Sequence, residues 1–225
     1  MKINEQYDYM FDPDLPPSEL GIVAATTWRK DPKRLVFTLS RYKFVAKMFA
    51  DFERVLEIGC GDAWASRIVA QSVKCLTASD YDSRFIKAAE NYSNGAWPVE
   101  LKYLDIQAEK NPGNYNGIYL LDVFEHIHPS QESAFLDQLK NQLAGDGCLI
   151  IGIPSLRSQY LIAPHKRDPG HVNCKDGSDL KEVLGQHFKN VFIFSMNDEV
   201  VHTGNFEMAH YLLALCCFKF TRKDL

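Results

Sequence analysis

The segment 54–63, Arg-Val-Leu-Glu-Ile-Gly-Cys-Gly-Asp-Ala, constrains the fold more than any other part of the chain. A short apolar run contains an acidic residue, Glu57, and is followed by Gly59 and Gly61. Glycine lets a backbone turn pass close beneath a ligand, where a Cβ atom would collide with it. We expect a strand, this turn, and then a helix that starts near Asp62 and directs its unpaired N–H groups to the same place. This order predicts a site for a nucleotide-type cofactor.

The spacing of the glycines separates two classes of cofactor. A dinucleotide fingerprint has a third glycine three residues after the second, and this chain has Trp64 there. The carboxylate of Glu57 would also repel a pyrophosphate. S-adenosylmethionine (SAM) carries a sulfonium and an ammonium group and no phosphate, so the sequence favours SAM over NAD or FAD.

Two segments resemble motifs of the class I SAM-dependent methyltransferases. Residues 57–61 look like motif I, and residues 115–127 are similar to motif IV with its trailing Glu125-His126 pair. The resemblance covers about residues 40–218, and in both motifs it extends to the ubiquinone-pathway O-methyltransferases. It implies SAM as cofactor and S-adenosylhomocysteine as product.

Acidic residues follow the next predicted strands at the spacing of that family. Asp80 comes nineteen residues after Gly61, where an acidic residue accepts hydrogen bonds from ribose hydroxyls. Asp105 and Ile106 occupy the position that meets the adenine in the family. The resemblance therefore implies one set of cofactor-binding residues: Glu57, Gly59, Cys60, Gly61, Asp80, Tyr81, Asp105, Ile106 and Asp122.

Two further residues and one departure belong to this prediction. Arg41 and Tyr42, late in the first predicted helix, are placed to meet the methionine carboxylate. Ala63 stands where the family usually has another glycine, and we expect only a slight shift of the turn.

Apolar runs alternate with amphipathic helical segments along the chain, which predicts a parallel sheet. The predicted strands are residues 54–58, 73–79, 99–104, 115–121, 148–153, 191–196 and 208–218. The predicted helices are residues 34–50, 65–71, 84–91, 131–143 (with Ser130 as N-cap) and 180–187. The last two strands have no helix between them and should pair antiparallel. The expected class is α/β: a Rossmann-like, seven-stranded methyltransferase sheet, mostly parallel with an antiparallel last strand, and helices on both faces.

The chain divides into a methyltransferase domain, residues 34–225, and an N-terminal segment, residues 1–33. That segment is too rich in proline for one continuous helix and too aromatic for a disordered tail. We expect a lid over the cofactor or an arm of a homodimer.

Histidines gather where the acceptor should bind. In a parallel sheet ligands lie beyond the carboxyl ends of the strands, and six of the seven histidines lie in or after the last segments that reach this edge. Histidine titrates near neutrality and can take a proton from a hydroxyl group. His126 is the first candidate for the base, followed by His171 and His202. Two alternatives stay open for Glu125-His126: it starts a helix, or it holds a divalent cation with Asp122. The preferred assignment of site residues includes no metal ligand.

Bulk properties exclude several classes of partner and location. The net charge is −4 without a basic run, so neither nucleic acid nor an anionic membrane is expected as a partner. The first residues lack an apolar secretory signal, and the six cysteines show no C-x-x-C spacing, which favours the reducing cytoplasm.

The expected function is methyl transfer from SAM to a small hydroxylated, sugar-like acceptor, most simply at oxygen. Polar side chains at the strand ends suit a hydroxylated molecule better than a flat apolar one. Three alternatives remain: an N-methyltransferase, a nucleotide-binding oxidoreductase with an atypical turn, and a binding protein that kept the fold without catalysis.

Overall fold

One mixed β-sheet with helices packed against both faces forms the body of the protein. The computed structural model describes residues 20–91 and 96–221. Residues 1–19 of the predicted lid or arm therefore lie outside the described residues.

Eight strands form the sheet within the described residues. They are β1 Val55–Ile58, β2 Leu76–Asp80, β3 Glu100–Tyr103, β4 Tyr115–Leu121, β5 Leu143–Pro154, β6 Phe188–Asn197, β7 Val200–His202 and β8 Tyr211–Lys219. Their order across the sheet is β3-β2-β1-β4-β5-β8-β6-β7. The strands from β3 to β5 are mutually parallel, whereas β8 runs antiparallel to both β5 and β6, and β7 antiparallel to β6.

The helices cover the sheet from two sides. They are α1 Ile22–Lys30, α2 Pro32–Met48, α3 Arg67–Ala70, α4 Ser83–Ala89, α5 Glu132–Gln142, α6 Leu156–Leu161 and α7 Gly177–Gly185. Side chains of α2 pack with Val55 on one face, and those of α5 and α7 pack with Leu56 on the other. This follows from the alternation of successive strand residues between the two faces. No helix in the described parts of the chain is long and apolar enough to cross a membrane.

The predicted α/β fold and its antiparallel last strand are confirmed, but the predicted number of strands is wrong. The additional strand, β7, lies between the last two predicted strands, 191–196 and 208–218. Asp198 takes a left-handed conformation, with φ of 50°. Aspartate tolerates this conformation in tight turns, so the chain reverses at once and pairs Asn197 with Val200.

Two helix starts also differ from the prediction. Helix α3 begins at Arg67 rather than near Asp62, because the Oδ1 atom of Asp62 accepts the N–H of Trp64 at 3.2 Å and holds a turn instead. Helix α5 begins at Glu132, and its N-cap is not Ser130, whose N–H instead bonds His128 Nδ1 at 3.3 Å. In both places a side chain close in sequence competes with the helix.

Gly152 in β5 provides a test of the packing beneath the site. A Cβ atom there would lie 2.6 Å from Leu121 Cδ2 and 2.7 Å from the Tyr211 hydroxyl. The change Gly152→Ala should therefore lower the free energy of unfolding by about 1–3 kcal/mol through overpacking. The matched control is Gly145→Ala in the same strand, where a Cβ meets nothing within 4 Å. Urea unfolding of the two variants measures the difference, and equal stabilities would contradict the packing described here.

Candidate active site

Three adjoining cavities lie at the edge of the sheet where β1, β2 and β4 end. The β2-side cavity has a volume of about 560 Å³, the glycine-turn cavity about 210 Å³, and the groove between α1 and α2, called here the helix groove, about 350 Å³. Asp122, directly after β4, lines all three. The cavities therefore meet at one carboxylate.

The glycine turn needs its glycines. Gly59 and Gly61 have φ of 76° and 55°, in the left-handed region that other residues rarely adopt. A Cβ atom on Gly59 would also lie only 2.4 Å from Val123 Cγ2. Ala63 has φ of 53° as well, so the family's glycine position keeps a left-handed backbone with an alanine side chain.

Glu57, which the sequence predicted among the cofactor-binding residues, does not line the cavities. Its carboxylate is buried beneath the turn. The hydroxyl groups of Tyr42, Ser66 and Tyr119 donate hydrogen bonds to it at 2.9, 2.5 and 2.8 Å. The reason is the strand alternation, which directs residue 57 to the face covered by α2. Burial raises the pKa of Glu57 to about 7, although the three hydrogen bonds act in the opposite direction.

Tyr42, predicted to meet the methionine carboxylate, instead stabilises Glu57, because its hydroxyl group donates a hydrogen bond to that carboxylate. Cys60 lines the glycine-turn cavity but is itself buried, and burial raises the pKa of its thiol. It acts as a small apolar residue there.

Four other predicted cofactor residues lie together around the β2-side cavity: Asp80, Tyr81, Asp105 and Ile106. Asp80 is fixed by two backbone groups, because its Oδ2 accepts the N–H of Gly61 at 3.0 Å and its Oδ1 accepts that of Asp82 at 2.8 Å. The described lining of this cavity contains three aspartates and no lysine or arginine. Its charge suits a cationic ligand without phosphate.

Asp122 is held by an arginine of α2. Arg41 Nη1 lies 2.5 Å from Asp122 Oδ2, and the guanidinium group stacks on the ring of Tyr211, 3.7 Å from its centroid. Asp122 takes a left-handed conformation, with φ of 57°. The guanidinium group that we predicted to face a methionine carboxylate is thus already paired at the junction of the cavities.

The structure brings His126 and His171 together, with ring centroids 5.1 Å apart. His126 Nδ1 lies 2.9 Å from the carbonyl oxygen of Gly170, and His171 Nδ1 lies 3.1 Å from Gln159 Oε1. These oxygens only accept hydrogen bonds, so each neutral ring donates from Nδ1 and keeps a lone pair on Nε2. Burial lowers the pKa of His171, which favours that neutral form. His126 lines the β2-side cavity beside Asp122.

His202 is not part of this arrangement, so the structure does not support the prediction that it is a base. It lies on β7, at the far edge of the sheet, and lines none of the three cavities. Its Nε2 lies 3.0 Å from Asn197 Oδ1, and its Nδ1 accepts the N–H of Gly204 at 3.0 Å. Both ring nitrogens therefore stabilise the hairpin.

Unpartnered polar atoms surround Asp122. Among the described residues, the buried side-chain nitrogen and oxygen atoms without a hydrogen-bond partner are Arg41 Nε, both carboxylate oxygens of Glu125 and the Tyr211 hydroxyl. Burial raises the pKa of Glu125 to about 8, and the charge of Asp122 contributes to the rise. Sequence reasoning missed Tyr211, which reaches the site because β8 pairs with β5.

A cation site is the other chemistry that these residues offer. Glu125, His126 and His171 each have one ligand atom within 4.8 Å of the others. Asp122, which the sequence placed in such a site, is not in this group, and its carboxylate pairs with Arg41.

Helix α1 is attached to the glycine turn. Asp62 Oδ2 accepts the N–H of Val23 at 2.8 Å, and so caps the first turn of α1 from a distant part of the chain. Val23, Ala24 and Thr27 line the glycine-turn cavity. The described end of the N-terminal segment thus forms one wall of the site.

Comparison with known proteins assigns this chain to one family. Residues 27–188 match the model of a family described as "Methyltransferase domain". A stretch of 106 residues, 45% of this chain, is 30% identical to (S)-coclaurine N-methyltransferase of Thalictrum flavum subsp. glaucum. The match spans only 28% of the length of that relative.

Solved structures share the fold at low identity. N-methyltransferase NodS from Bradyrhizobium japonicum WM9, in complex with S-adenosyl-L-homocysteine, superposes with a TM-score of 0.61 at 18% identity, over 85% of this chain and 91% of that one. The 1,6-didemethyltoxoflavin-N1-methyltransferase of Burkholderia thailandensis, with its substrate and S-adenosylhomocysteine bound, gives a TM-score of 0.61 at 14% identity over 98% and 92%. The likeness to ubiquinone-pathway O-methyltransferases stays a prediction.

The buried carboxyl group of Glu125 predicts an unusual pH dependence. Its pKa in the folded state, about 8, lies above that of the exposed group, so the protein loses stability as the pH rises from about 4.5 through 8. The change Glu125→Gln should reduce this loss and raise the free energy of unfolding at pH 9 by about 2 kcal/mol. Part of the slope should remain, because Glu57 titrates near 7.

Thermal and urea unfolding of the ligand-free protein between pH 6 and 9 measures this effect. The exposed Glu53 supplies the control Glu53→Gln, which should keep the wild-type slope. An unchanged slope in Glu125→Gln would show that the carboxyl group titrates normally.

Proposed function

We propose that this chain, which belongs to the class I SAM-dependent methyltransferases, transfers a methyl group to the oxygen of a small hydroxylated acceptor. The observation that carries the proposal is that the three cavities meet at Asp122, beside Arg41, which lines two of them and whose buried Nε has no hydrogen-bond partner among the described residues. Buried polar groups in proteins are almost always hydrogen-bonded, so an unpartnered donor at this junction supports a polar ligand there.

The residues around the first two cavities support SAM as the methyl donor. Asp80 and Asp105 line the larger cavity, and Gly59 and Gly61 lie where both cavities approach Asp122. When bound, SAM supplies a methyl group on a positively charged sulfur. The protein mainly has to align the acceptor atom with that methyl group and exclude water.

His126 is the base in this proposal, with His171 beside it. The carbonyl oxygen of Gly170 fixes the ring of His126, so that Nε2 can take the hydroxyl proton. The buried carboxyl group of Glu125 lies beside His126 and, in its ionised form, would stabilise the imidazolium that results.

Transfer to nitrogen is the second candidate. The relatives named above include N-methyltransferases for (S)-coclaurine and 1,6-didemethyltoxoflavin. A neutral amine carries its own lone pair and needs less help from a base. Loss of His126 would then have a smaller effect on the rate.

The N-terminal segment acts as a lid in this proposal. The capping bond from Asp62 holds α1 against the glycine turn, and α1 lines the glycine-turn cavity. Its alternative role as a dimer arm stays a prediction.

The change His126→Gln should lower kcat by about 100-fold or more, because general-base catalysis contributes about 10²–10⁴. The affinity for S-adenosylhomocysteine, measured by calorimetry, should stay the same. His202→Gln is the control and should keep kcat, because His202 lines none of the cavities. Full activity in His126→Gln would favour the nitrogen acceptor.

The cofactor is tested separately by calorimetry of the wild-type protein. Binding of NAD, without binding of SAM or S-adenosylhomocysteine, would favour the oxidoreductase alternative.

The lid can be displaced at the point where α1 is attached to the glycine turn. A Cβ atom on Gly21 would lie 2.2 Å from Asp62 Oδ2, so Gly21→Ala should break the cap of α1. Gly21→Ala, and deletion of residues 1–33, should each weaken SAM binding about tenfold. Gly185→Ala, where a Cβ meets nothing within 4 Å, is the matched control. Unchanged affinity in both lid variants would refute a lid.

A further inference from the structure

We propose that the helix groove binds an anionic group of the acceptor, a carboxylate or a phosphate, so that the substrate is an acidic hydroxylated molecule. The inference rests on the proposed function and adds the chemical class of the substrate.

The groove is placed to receive the acceptor. The β2-side and glycine-turn cavities share Gly59, Gly61 and Asp122, so a ligand that fills both would have its central part beside Asp122. The helix groove reaches the same carboxylate from the side of α1 and α2. A second molecule in the groove would therefore meet the first one at Asp122.

The charges of the groove favour an anion. Its lining holds three cations, Lys30, Arg34 and Arg41, and two carboxylates, Asp31 and Asp122. Arg41 and Asp122 neutralise each other in their ion pair. Within residues 20–91 and 96–221, neither Lys30 nor Arg34 forms an ion pair with a carboxylate. Among the described residues, two unpaired cations and one unpaired carboxylate, Asp31, thus lie along one groove, which leaves one excess positive charge. A guanidinium group matches the two oxygens of a carboxylate or phosphate.

Arg34 occupies a position that the helix itself disfavours. It lies in the first turn of α2, beside Lys33, and that turn contains no acidic residue, although Asp31 precedes it at the N-cap without a side-chain capping bond. The positive end of the helix dipole repels cations, whereas Lys30, in the last turn of α1, lies at a favourable end. A bound anion would offset this repulsion.

Arg34 is also within electrostatic range of the candidate bases. Burial lowers the pKa of His171, and the charges of His126 and, to the smallest extent, of Arg34 act in the same direction. The unpartnered Nε of Arg41 lies at the inner end. An acceptor whose anionic group is bound by Arg34 and Lys30 can place a hydroxyl group beside His126.

The test uses wild-type protein saturated with S-adenosylhomocysteine and titrated with inorganic phosphate and with malonate at constant ionic strength. The double variant Lys30→Gln/Arg34→Gln should bind both anions at least about tenfold more weakly. The control is Arg29→Gln/Lys33→Gln, which removes two exposed cations next to them in sequence that do not line the groove. The control should bind as wild type does, and both double variants should keep the wild-type affinity for S-adenosylhomocysteine, which also verifies that they are folded.

Three results would overturn the inference while the proposed function stands: wild-type protein that binds neither anion, equal weakening in both double variants, or anions that displace S-adenosylhomocysteine. The last result would assign the groove to the methionine carboxylate of the cofactor. Wild-type protein that fails to bind S-adenosylhomocysteine would instead overturn the proposed function itself.

Discussion

One buried carboxylate connects the elements that build the site. Glu57 of β1 accepts hydrogen bonds from Tyr42 of α2, from Ser66 before α3 and from Tyr119 of β4. Burying a carboxylate is costly unless hydrogen bonds replace its water, and these three hydroxyl groups do so. The interaction therefore fixes the glycine turn, the helix that carries Arg41 and the strand that leads to Asp122 relative to one another.

The negative charge of the site extends beyond that carboxylate. Asp80, Asp105 and Asp122 line the β2-side cavity, and Glu125 is buried nearby with no partner for either oxygen. Burial raises the pKa of Glu125, and the repulsion from the charge of Asp122 adds to the rise. A cationic ligand relieves this repulsion, whereas a pyrophosphate would increase it. Electrostatics and the family assignment thus give the same cofactor by independent routes.

The sequence predicted those parts of the site that depend on short stretches of the chain. The glycine turn and the acidic residues after β2 and β3 follow from short motifs, because the carboxyl ends of neighbouring parallel strands meet at one edge. The direction of Glu57 was missed, because it depends on which face α2 covers. His202 was misplaced for a topological reason: β8 lies between β5 and β6, which moves the β6–β7 hairpin away from the site. The same insertion brings Tyr211 beside Arg41, and no motif in the chain marks that contact.

The residues of α1 differ in the number of cavities that they line, and this difference affects how freely each of them can change in evolution. Val23 and Thr27 face both the glycine-turn cavity and the helix groove, whereas Lys30 faces the groove alone. In the proposed arrangement, a mutation at Thr27 that makes room for a new acceptor would also loosen the enclosure of the donor. A mutation at Lys30 would change the acceptor groove alone, so substrate specificity could change there while selection preserves the donor site at Thr27.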